Sequence, residues 1–520
     1  MMSGFIRKEE GSPMATGRVV VLYVMTVILL ASCMQSADVP PPAETEDAAP
    51  EVDPLQALIE RGQRLELDTP YVPPPGDPDT HHTMGFARTL CSGVFVSGLD
   101  PDFAAESIGF FTSPRETRGV VVERDIDYES KTVSLTTDKG VTRVAKHIGD
   151  RGCVPLPIGA TNPYYEPPVL KSSLPDAATT PWPMGDVLPD KPIPGEIDLV
   201  KLTAAIDTFF TEGSMSASLV VTYKGQLIAE RYGEGIDIHT PLESWSMSKS
   251  LSATLLGVLV QQGEYELDQS APFPEWREDG DPRQSIRIKD ILRMSSGLRC
   301  RNMGDPDWDP ALGYPDHLYL YTGTVNSFEY AATRPQQWEP NTVGRYRNCD
   351  PVLTNYLVRL AVEERGDDYH QFPQRHLFDK IGVRNLVIQT DPHGNMLLNG
   401  SSLGPARDWA RLGNLYLNDG MVNGERVLPE GYADFVSAIA PAWVADGRPV
   451  YGGFFWLMGA DHGLAPGDVY SMRGAGGQIV SIVPSKGLVM ARLGHYAGAS
   501  VWGDALDKGM KLLMEAVPNL

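Results

Sequence analysis

The sequence has little of what would make it a nucleic-acid binder, a membrane-spanning protein or a metalloenzyme. It has no basic stretch: 44 Lys and Arg stand against 67 Asp and Glu over 520 residues, a formal net charge of −23. Binding driven by phosphate neutralisation needs clustered cations, so nucleic acid is excluded as a partner. The apolar run at residues 18–32, RVVVLYVMTVILLAS, is short of the roughly 20 residues a helix needs to cross a bilayer comfortably. The ten histidines lack ligand spacing. His81-His82 and His370 with His376 place no pair on one helical face beside an acid, so they read as solvated, with no metal. No internal repeat is present, and no cofactor is implied.

What the apolar run does fit is the core of a signal peptide behind Arg18. Glu9 and Glu10 are unusual ahead of such a core, which makes Met14 an alternative start. The run ends in Leu30-Ala31-Ser32-Cys33, similar to the bacterial lipobox, whose Cys becomes the lipidated first residue. Residues 1–33 are therefore expected to be a lipoprotein signal peptide; an uncleaved anchor would also leave the chain on a membrane. Residues 34–54, rich in Pro, Ala and acid, read as a disordered tether. Met34 is not the Asp that retains bacterial lipoproteins at the inner membrane, so the expected location is the periplasmic face of the outer membrane or the cell surface.

With Cys33 set aside, Cys91, Cys153, Cys300 and Cys349 remain. An even number in an oxidising compartment suggests two disulfides, and four cysteines allow three connectivities. Pairing within each half, Cys91 with Cys153 and Cys300 with Cys349, is the simplest; buried free thiols are the alternative.

The length favours two folded units. Residues 55–160 read as a small α+β unit: helical spacing in Leu55, Leu58, Ile59 and Leu65, then strands at 118–123, 131–136 and 141–147. Residues 161–195 form a Pro-rich linker lying against the second unit. In 196–520 the pattern is helix (DLVKLTAAIDTFF), then a hairpin about Lys224-Gly225. A long apolar helix at 246–262 comes next, then a helical region to about 440, a hairpin in QIVSIVPSKGLVMARLG and a helix at 500–516. Strands at both ends of a helical middle predict an α+β fold, one antiparallel sheet flanked by helices with an inserted helical lobe.

Ser246-Met247-Ser248-Lys249 is the chain's one S-x-x-K. Three residues is nearly one helical turn, so the Lys249 amine can lie beside the Ser246 hydroxyl and take its proton once burial lowers its pKa. Such a tetrad is common by chance, and its surroundings decide. Ser244-Trp245-Ser246-Met247-Ser248-Lys249-Ser250, GVLVQQGEYELDQSA and IRIKDILRMSSGL together resemble, in order, three blocks of the serine β-lactamase and penicillin-binding-protein superfamily. Its class C type enzymes, related esterases and 6-aminohexanoate-dimer hydrolases come nearest. The resemblance spans about 196–516 and leaves the N-terminal unit outside.

That resemblance implies a serine hydrolase that forms a covalent acyl-enzyme on a small ester, amide or peptide. Its Tyr-x-Asn motif matches Tyr346-Arg347-Asn348, with Tyr346 relaying protons and Asn348 holding substrate or Lys249; Tyr416-Leu417-Asn418, at a helix end, reads as packing. Its third motif matches Arg473-Gly474-Ala475-Gly476-Gly477-Gln478, where the Gln478 N–H with that of Ser246 would form the oxyanion hole. Ala475 stands where family members carry a cation, which argues against β-lactam turnover unless Arg473 supplies the charge. A lipoprotein of the same fold that binds or slowly acylates without efficient turnover is the second reading. Gly400-Ser401-Ser402-Leu403-Gly404 fits the G-x-S-x-G elbow but lacks the strand before it. Ser401 or Ser402 is instead expected to cap the helix starting near Ala406, and His462 and His495 to be surface or packing residues. Mass spectrometry of the mature protein should find Cys33 as a lipidated N-terminus; a soluble, unmodified chain beginning upstream of Cys33 would refute the export reading.

Overall fold

The central sheet is assembled from distant parts of the chain, and its inner strands SASLVVTY, QIVSIV and LVMARLG are buried along almost their whole length. A computed structural model describes residues 53–457, 467–495 and 501–520. The signal segment with Cys33, nearly all of the expected tether, and His462 lie outside them. The described chain from Asp53 to Leu520 forms one compact unit.

Three helices open it, α1 (Pro54–Arg64), α2 (Pro78–Phe95) and α3 (Pro101–Ser107), followed by an antiparallel sheet β1 (Val121–Asp127), β2 (Thr132–Thr137), β3 (Thr142–His147) and β4 (Cys153–Leu156). Asp53, Asp77 and Asp100 cap the three helices by accepting backbone N–H bonds, each with Pro in the first turn, the usual start signal. The expected strand at 118–123 begins later, at Val121. Arg115–Val120 take a tight 3-10 turn, because the Arg118 guanidinium folds back onto the carbonyls of Ser113 (2.9 Å) and Ile108 (3.1 Å). α2 is buried along almost its whole length, and with β2, β3 and the Cys91–Cys153 bond it closes a small core.

Residues 157–198 contain no named helix or strand. They are held by later parts of the chain: Ser172 and Ser173 donate to Asp379, Trp182 donates to the Gly225 carbonyl (2.9 Å), and Arg411 donates to the carbonyls of Pro183 and Gly185. Next come α4 (Leu199–Phe209), the hairpin β5 (Ser216–Tyr223) and β6 (Gln226–Tyr232), β7 (Leu242–Glu243) and α5 (Met247–Gln261). A lobe of short elements succeeds them: α6 (Ile288–Leu292), α7 (Asp316–Thr322), α8 (Ser327–Ala332), α9 (Cys349–Glu364) and α10 (Asp379–Ile381). β8 (Val387–Ile388) and β9 (Ser402–Gly404) pair with each other, β9 also with β7, and α11 (Ala406–Leu417) leads to the hairpin β10 (Met421–Val422) and β11 (Glu425–Arg426). After α12 (Tyr432–Ser437) and α13 (Pro441–Ala445), β12 (Tyr470–Gly474), β13 (Gln478–Val483), β14 (Leu488–Gly494) and α14 (Val501–Ala516) end the chain.

The main sheet runs β12-β13-β14-β5-β6, antiparallel throughout. Leu219, Val221, Ile479 and Met490 pack under α4 and α14, while Val220, Val480, Val489 and Ala491 join the larger core around α5 and α11. The period of two along each strand thus serves two hydrophobic layers at once. The chain therefore has the α+β architecture read from the sequence, with β12 and the small β7-β9-β8 sheet as elements the sequence reading did not distinguish. Among the described residues, no helix is long and apolar enough to cross a membrane.

Candidate active site

Ser246 sits immediately before α5, with φ −66° and ψ −4°, and its side chain makes no capping bond. The Oγ is therefore left for other partners, at a helix end whose amide dipoles favour developing negative charge. Trp245, just before it, has φ +48°, a left-handed backbone that costs a bulky residue on the order of 1–3 kcal/mol. Such strain is often found where a side chain must be aimed.

One turn along α5, Lys249 Nζ lies 2.9 Å from Ser246 Oγ and also donates to the Asn399 carbonyl. The amine is 4.8 Å from the centroid of the Tyr346 ring, and its residue is 1% exposed. Desolvation lowers its pKa well below the usual lysine value, because the charged form loses its hydration. A neutral amine has two N–H groups and one lone pair. Donating one N–H to Asn399 leaves the lone pair for the Ser246 hydroxyl proton. Ser248, the other serine of the tetrad, is turned into the protein, donating to the Trp245 carbonyl (2.8 Å) and sharing a 2.6 Å bond with Ser402 Oγ.

The Tyr346 hydroxyl lies beside Ser246 and Trp456, and burial raises its pKa above the usual phenol value. The phenol is thus held protonated. Its ring is set edge-on to Tyr451 (5.6 Å) and tilted against Trp456 (5.1 Å). Its neighbours fix the segment: the Tyr346 carbonyl accepts from Asn302 Nδ2 (2.6 Å), Arg347 is buried against Asp305 (2.8 Å) and Gln337 (2.8 Å), and Cys349 is bonded to Cys300. In the chain-entropy view, closing a loop of that length stabilises by about 4 kcal/mol. Asn348 donates to the His317 carbonyl (2.7 Å), so its amide holds α7 and makes no bond to Lys249.

These groups open onto a cavity of about 450 Å³ lined by Phe111, Ser246, Asn302, Met303, Gly304, His317, Tyr346, Trp456, Arg473, Gly474 and Ala475. Ser246, Tyr346 and Arg473 are brought together as the sequence suggested. Gly476, Gly477 and Gln478 are not among the residues that line the cavity. The Gln478 side-chain amide is paired with the backbone of Gly494, and the carbonyls of Gly476 and Gly477 accept from Arg492. The turn reaches the cavity earlier, at Gly474 and Ala475. Gly474 lies so close that a Cβ there would come 2.1 Å from the Ser244 carbonyl oxygen, so the strand edge can approach Ser246 only through glycine.

Several sequence expectations are corrected. Ser401 and Ser402 do not cap α11, whose N-cap is Pro405; both are buried, Ser401 accepting from Arg88 and Ser402 bonding Ser244 and Ser248. His81 is not solvated: it is buried, stacked on Tyr314 and bonded to the Pro75 carbonyl. His82, His370 and His376 are half-buried. Two residues sit in the packing roles read for them: His495 packs edge-on against Phe103 and Tyr416 is buried against Thr254. No group of three His, Cys, Asp or Glu side chains that could hold a metal occurs among the described residues.

The sequence reading missed Tyr321, whose hydroxyl donates to the same Asn399 carbonyl as Lys249 (3.0 Å) and lies beside Ser246 and Asn348. It also missed His317, Trp456, Asn302 and Phe111 as cavity residues. Asn399 carried no signal, since it contributes a backbone oxygen.

A model of the beta-lactamase family matches residues 202–501. The chain belongs to the beta-lactamase family. It is similar to a 6-aminohexanoate-dimer hydrolase of Paenarthrobacter ureafaciens, 24% identical over 255 residues, which are 44% of this chain and 58% of that one. The match thus spans less than two thirds of that relative's length. Solved structures similar to this beta-lactamase-family chain include a family VIII carboxylesterase (16% identity, 62% of this chain and 99% of that one, TM-score 0.48). Another is a penicillin-binding protein homologue from Caulobacter crescentus (15% identity, 64% and 97%, TM-score 0.45).

A base with a lowered pKa acts in its deprotonated form, so kcat/KM for an ester should rise with pH through an acid limb set by Lys249, below the range of a free lysine. Lys249→Ala should lower the plateau by a factor on the order of 10² to 10⁴ and remove that limb. An acid limb unchanged in Lys249→Ala would assign the base elsewhere.

Proposed function

We propose that the protein is a serine hydrolase that carries the acyl group of an ester or amide on Ser246 and then transfers it to water. The observation that supports this most directly is the 2.9 Å contact between Lys249 Nζ and Ser246 Oγ, at a site whose burial lowers the pKa of the amine well below the usual lysine value. In acylation, Oγ bonds to the substrate carbonyl carbon, the hydroxyl proton passes to Nζ, and the carbonyl electron pair moves onto oxygen. The Ser246 N–H and the backbone of the turn at Ala475 are the candidate donors to that oxygen. The carbonyl re-forms as the bond to the alcohol or amine breaks. The proton reaches the leaving group from Lys249, with the Tyr346 phenol as relay. In the second half, water gives its proton to Lys249, its oxygen bonds to the acyl carbon, and the carbon–Oγ bond breaks with return of a proton to Oγ. The sum is ester or amide plus water giving acid plus alcohol or amine. No cofactor takes part.

The relative named as a 6-aminohexanoate-dimer hydrolase supports the amide side of this reading. The largely apolar cavity lining supports an uncharged group beside Ser246, with Arg473 the one Lys or Arg among the described lining residues. By the same proposal the enzyme is a lipoprotein anchored through Cys33 at the periplasmic face of the outer membrane, acting on small molecules.

Ser246→Ala should abolish both ester hydrolysis and labelling by a fluorophosphonate. Ser248→Ala should keep the labelling but lose about 1–3 kcal/mol of stability in urea unfolding, since its bonds to Trp245 and Ser402 are buried. Labelling that survives in Ser246→Ala would sink the assignment, and rapid labelling of the wild type without any turnover would favour the binding-only alternative. In substrate choice, neutral nitrophenyl esters should exceed nitrocefin in kcat/KM. Ala475→Lys should move the ratio toward nitrocefin by roughly 1–3 kcal/mol. A wild type that already prefers nitrocefin would show that Arg473, or another cation, fills the role that Ala475 leaves empty.

A further inference from the structure

We propose that Phe111, which lies outside the residues matched by the family model, determines the size of the apolar group that fits beside Ser246. This rests on the hydrolase reading above. Phe111 lines the same cavity as Ser246 and Tyr346, and its ring meets three others edge-on: Trp245 at 5.3 Å, His317 at 6.0 Å and Tyr321 at 6.0 Å. It therefore touches the residue that aims Ser246, a second cavity residue, and the tyrosine that shares the Asn399 carbonyl with Lys249. Adjacent aromatics are divided between two tasks. Phe110 faces away from the cavity and is buried, with the Arg118 guanidinium 4.0 Å over its ring.

The backbone that carries Phe111 has little room to move. Gly109 has φ +79°, and a Cβ there would come 2.2 Å from Thr89 Oγ1; a Cβ on Gly85 would come 2.6 Å from the Thr112 carbonyl oxygen. His82 Nδ1 is 3.0 Å from that same carbonyl oxygen. The segment thus lies directly on α2, a contact that two glycines permit. α2 is itself tied down by the Cys91–Cys153 bond and by Arg88, which is buried, donates to Ser401 and lies 5.3 Å from the Tyr321 ring. A ring on such a support acts as a fixed boundary. Close-packed walls exclude groups that differ by a few methylenes more sharply than mobile loops do. The N-terminal region then serves the site directly: it limits the substrate to an uncharged ester or amide whose group beside Ser246 is compact.

The test compares the wild type with Phe111→Ala, Phe111→Leu and Phe111→Trp on two ester series. One varies the acyl chain from acetyl to octanoyl on nitrophenol; the other varies the alcohol on a fixed acetyl group. The ratio of kcat/KM for the longest to the shortest member is taken within each protein, so it does not depend on how much of a variant is folded. In one or both series this ratio should rise by roughly 10-fold or more in Phe111→Ala, rise less in Phe111→Leu, and fall in Phe111→Trp. Val122→Ala, on an exposed position of β1, should keep the wild-type ratio. Ratios that stay at the wild-type value in both series for all three Phe111 variants, while the proteins still label with fluorophosphonate, would overturn the proposal and leave the hydrolase reading standing. A wild type that neither labels nor hydrolyses any ester would overturn the hydrolase reading, and this inference with it.

Discussion

The site depends on keeping one amine out of water. Lys249 is placed on a helix buried along nearly all of its length, so its charged form would have to surrender hydration worth several kcal/mol with little in return. Burial therefore lowers the pKa of the amine well below the usual lysine value, which suits it to the base role proposed for it. The requirement then propagates outward. The N–H groups of a buried neutral amine still need an acceptor, and the Asn399 carbonyl provides it while also accepting from Tyr321. Aiming the lone pair at Ser246 needs a helix that begins at that serine, and the backbone strain at Trp245 is compatible with that constraint. α5 is buried because the main sheet covers one side of it and the helical lobe another.

The Tyr346 segment solves a related problem, that of presenting one polar group from a loop without letting the loop relax. Of four consecutive residues, one lines the cavity and three hold structure: Arg347 on Asp305, Asn348 on the His317 carbonyl, and Cys349 on Cys300. A buried Arg–Asp pair contributes little net stability once desolvation is counted, yet removing either partner is costly. Its effect is on geometry, because competing loop conformations would leave a charge buried and unpaired. Asn302, which bonds the Tyr346 carbonyl, also lines the cavity. The two sides of the clamp thus share a wall of the cavity.

What could be read from the sequence was what depends on local spacing. Ser246 and Lys249 meet because a helix turns in 3.6 residues, and the β5–β6 and β13–β14 hairpins arise from apolar runs on either side of turn residues. The order of the motif blocks brought Tyr346 into the reading. The third motif carries less information, because a run such as Gly474-Ala475-Gly476-Gly477 has no side-chain pattern that fixes which N–H faces the cavity. The cap assigned to Ser401 or Ser402 failed for a tertiary reason: Arg88, Ser244 and Ser248 claim those hydroxyls from far away in the chain. Asn399 and Phe111 were invisible for opposite reasons. The first acts through its backbone, and the second belongs to a region with no recognisable constellation of its own.

The electrostatics of the cavity bear on the same division of labour. Arg473 lines the cavity and also lies in the field of Asp507 on α14, which favours its charged form, while burial lowers its pKa. A substrate carboxylate drawn toward this guanidinium would therefore compete with a carboxylate the protein already provides. Ala475, the next cavity residue but one, offers only a methyl group. Phe111, Met303 and Trp456 present apolar surface to the same cavity, and burial pushes the His317 imidazole pKa down. Charged groups set specificity more than affinity. On the proposed reading, an anionic group entering this cavity gives up water toward an Arg473 that already lies in the field of Asp507, whereas a neutral acyl chain gives up only hydrophobic hydration.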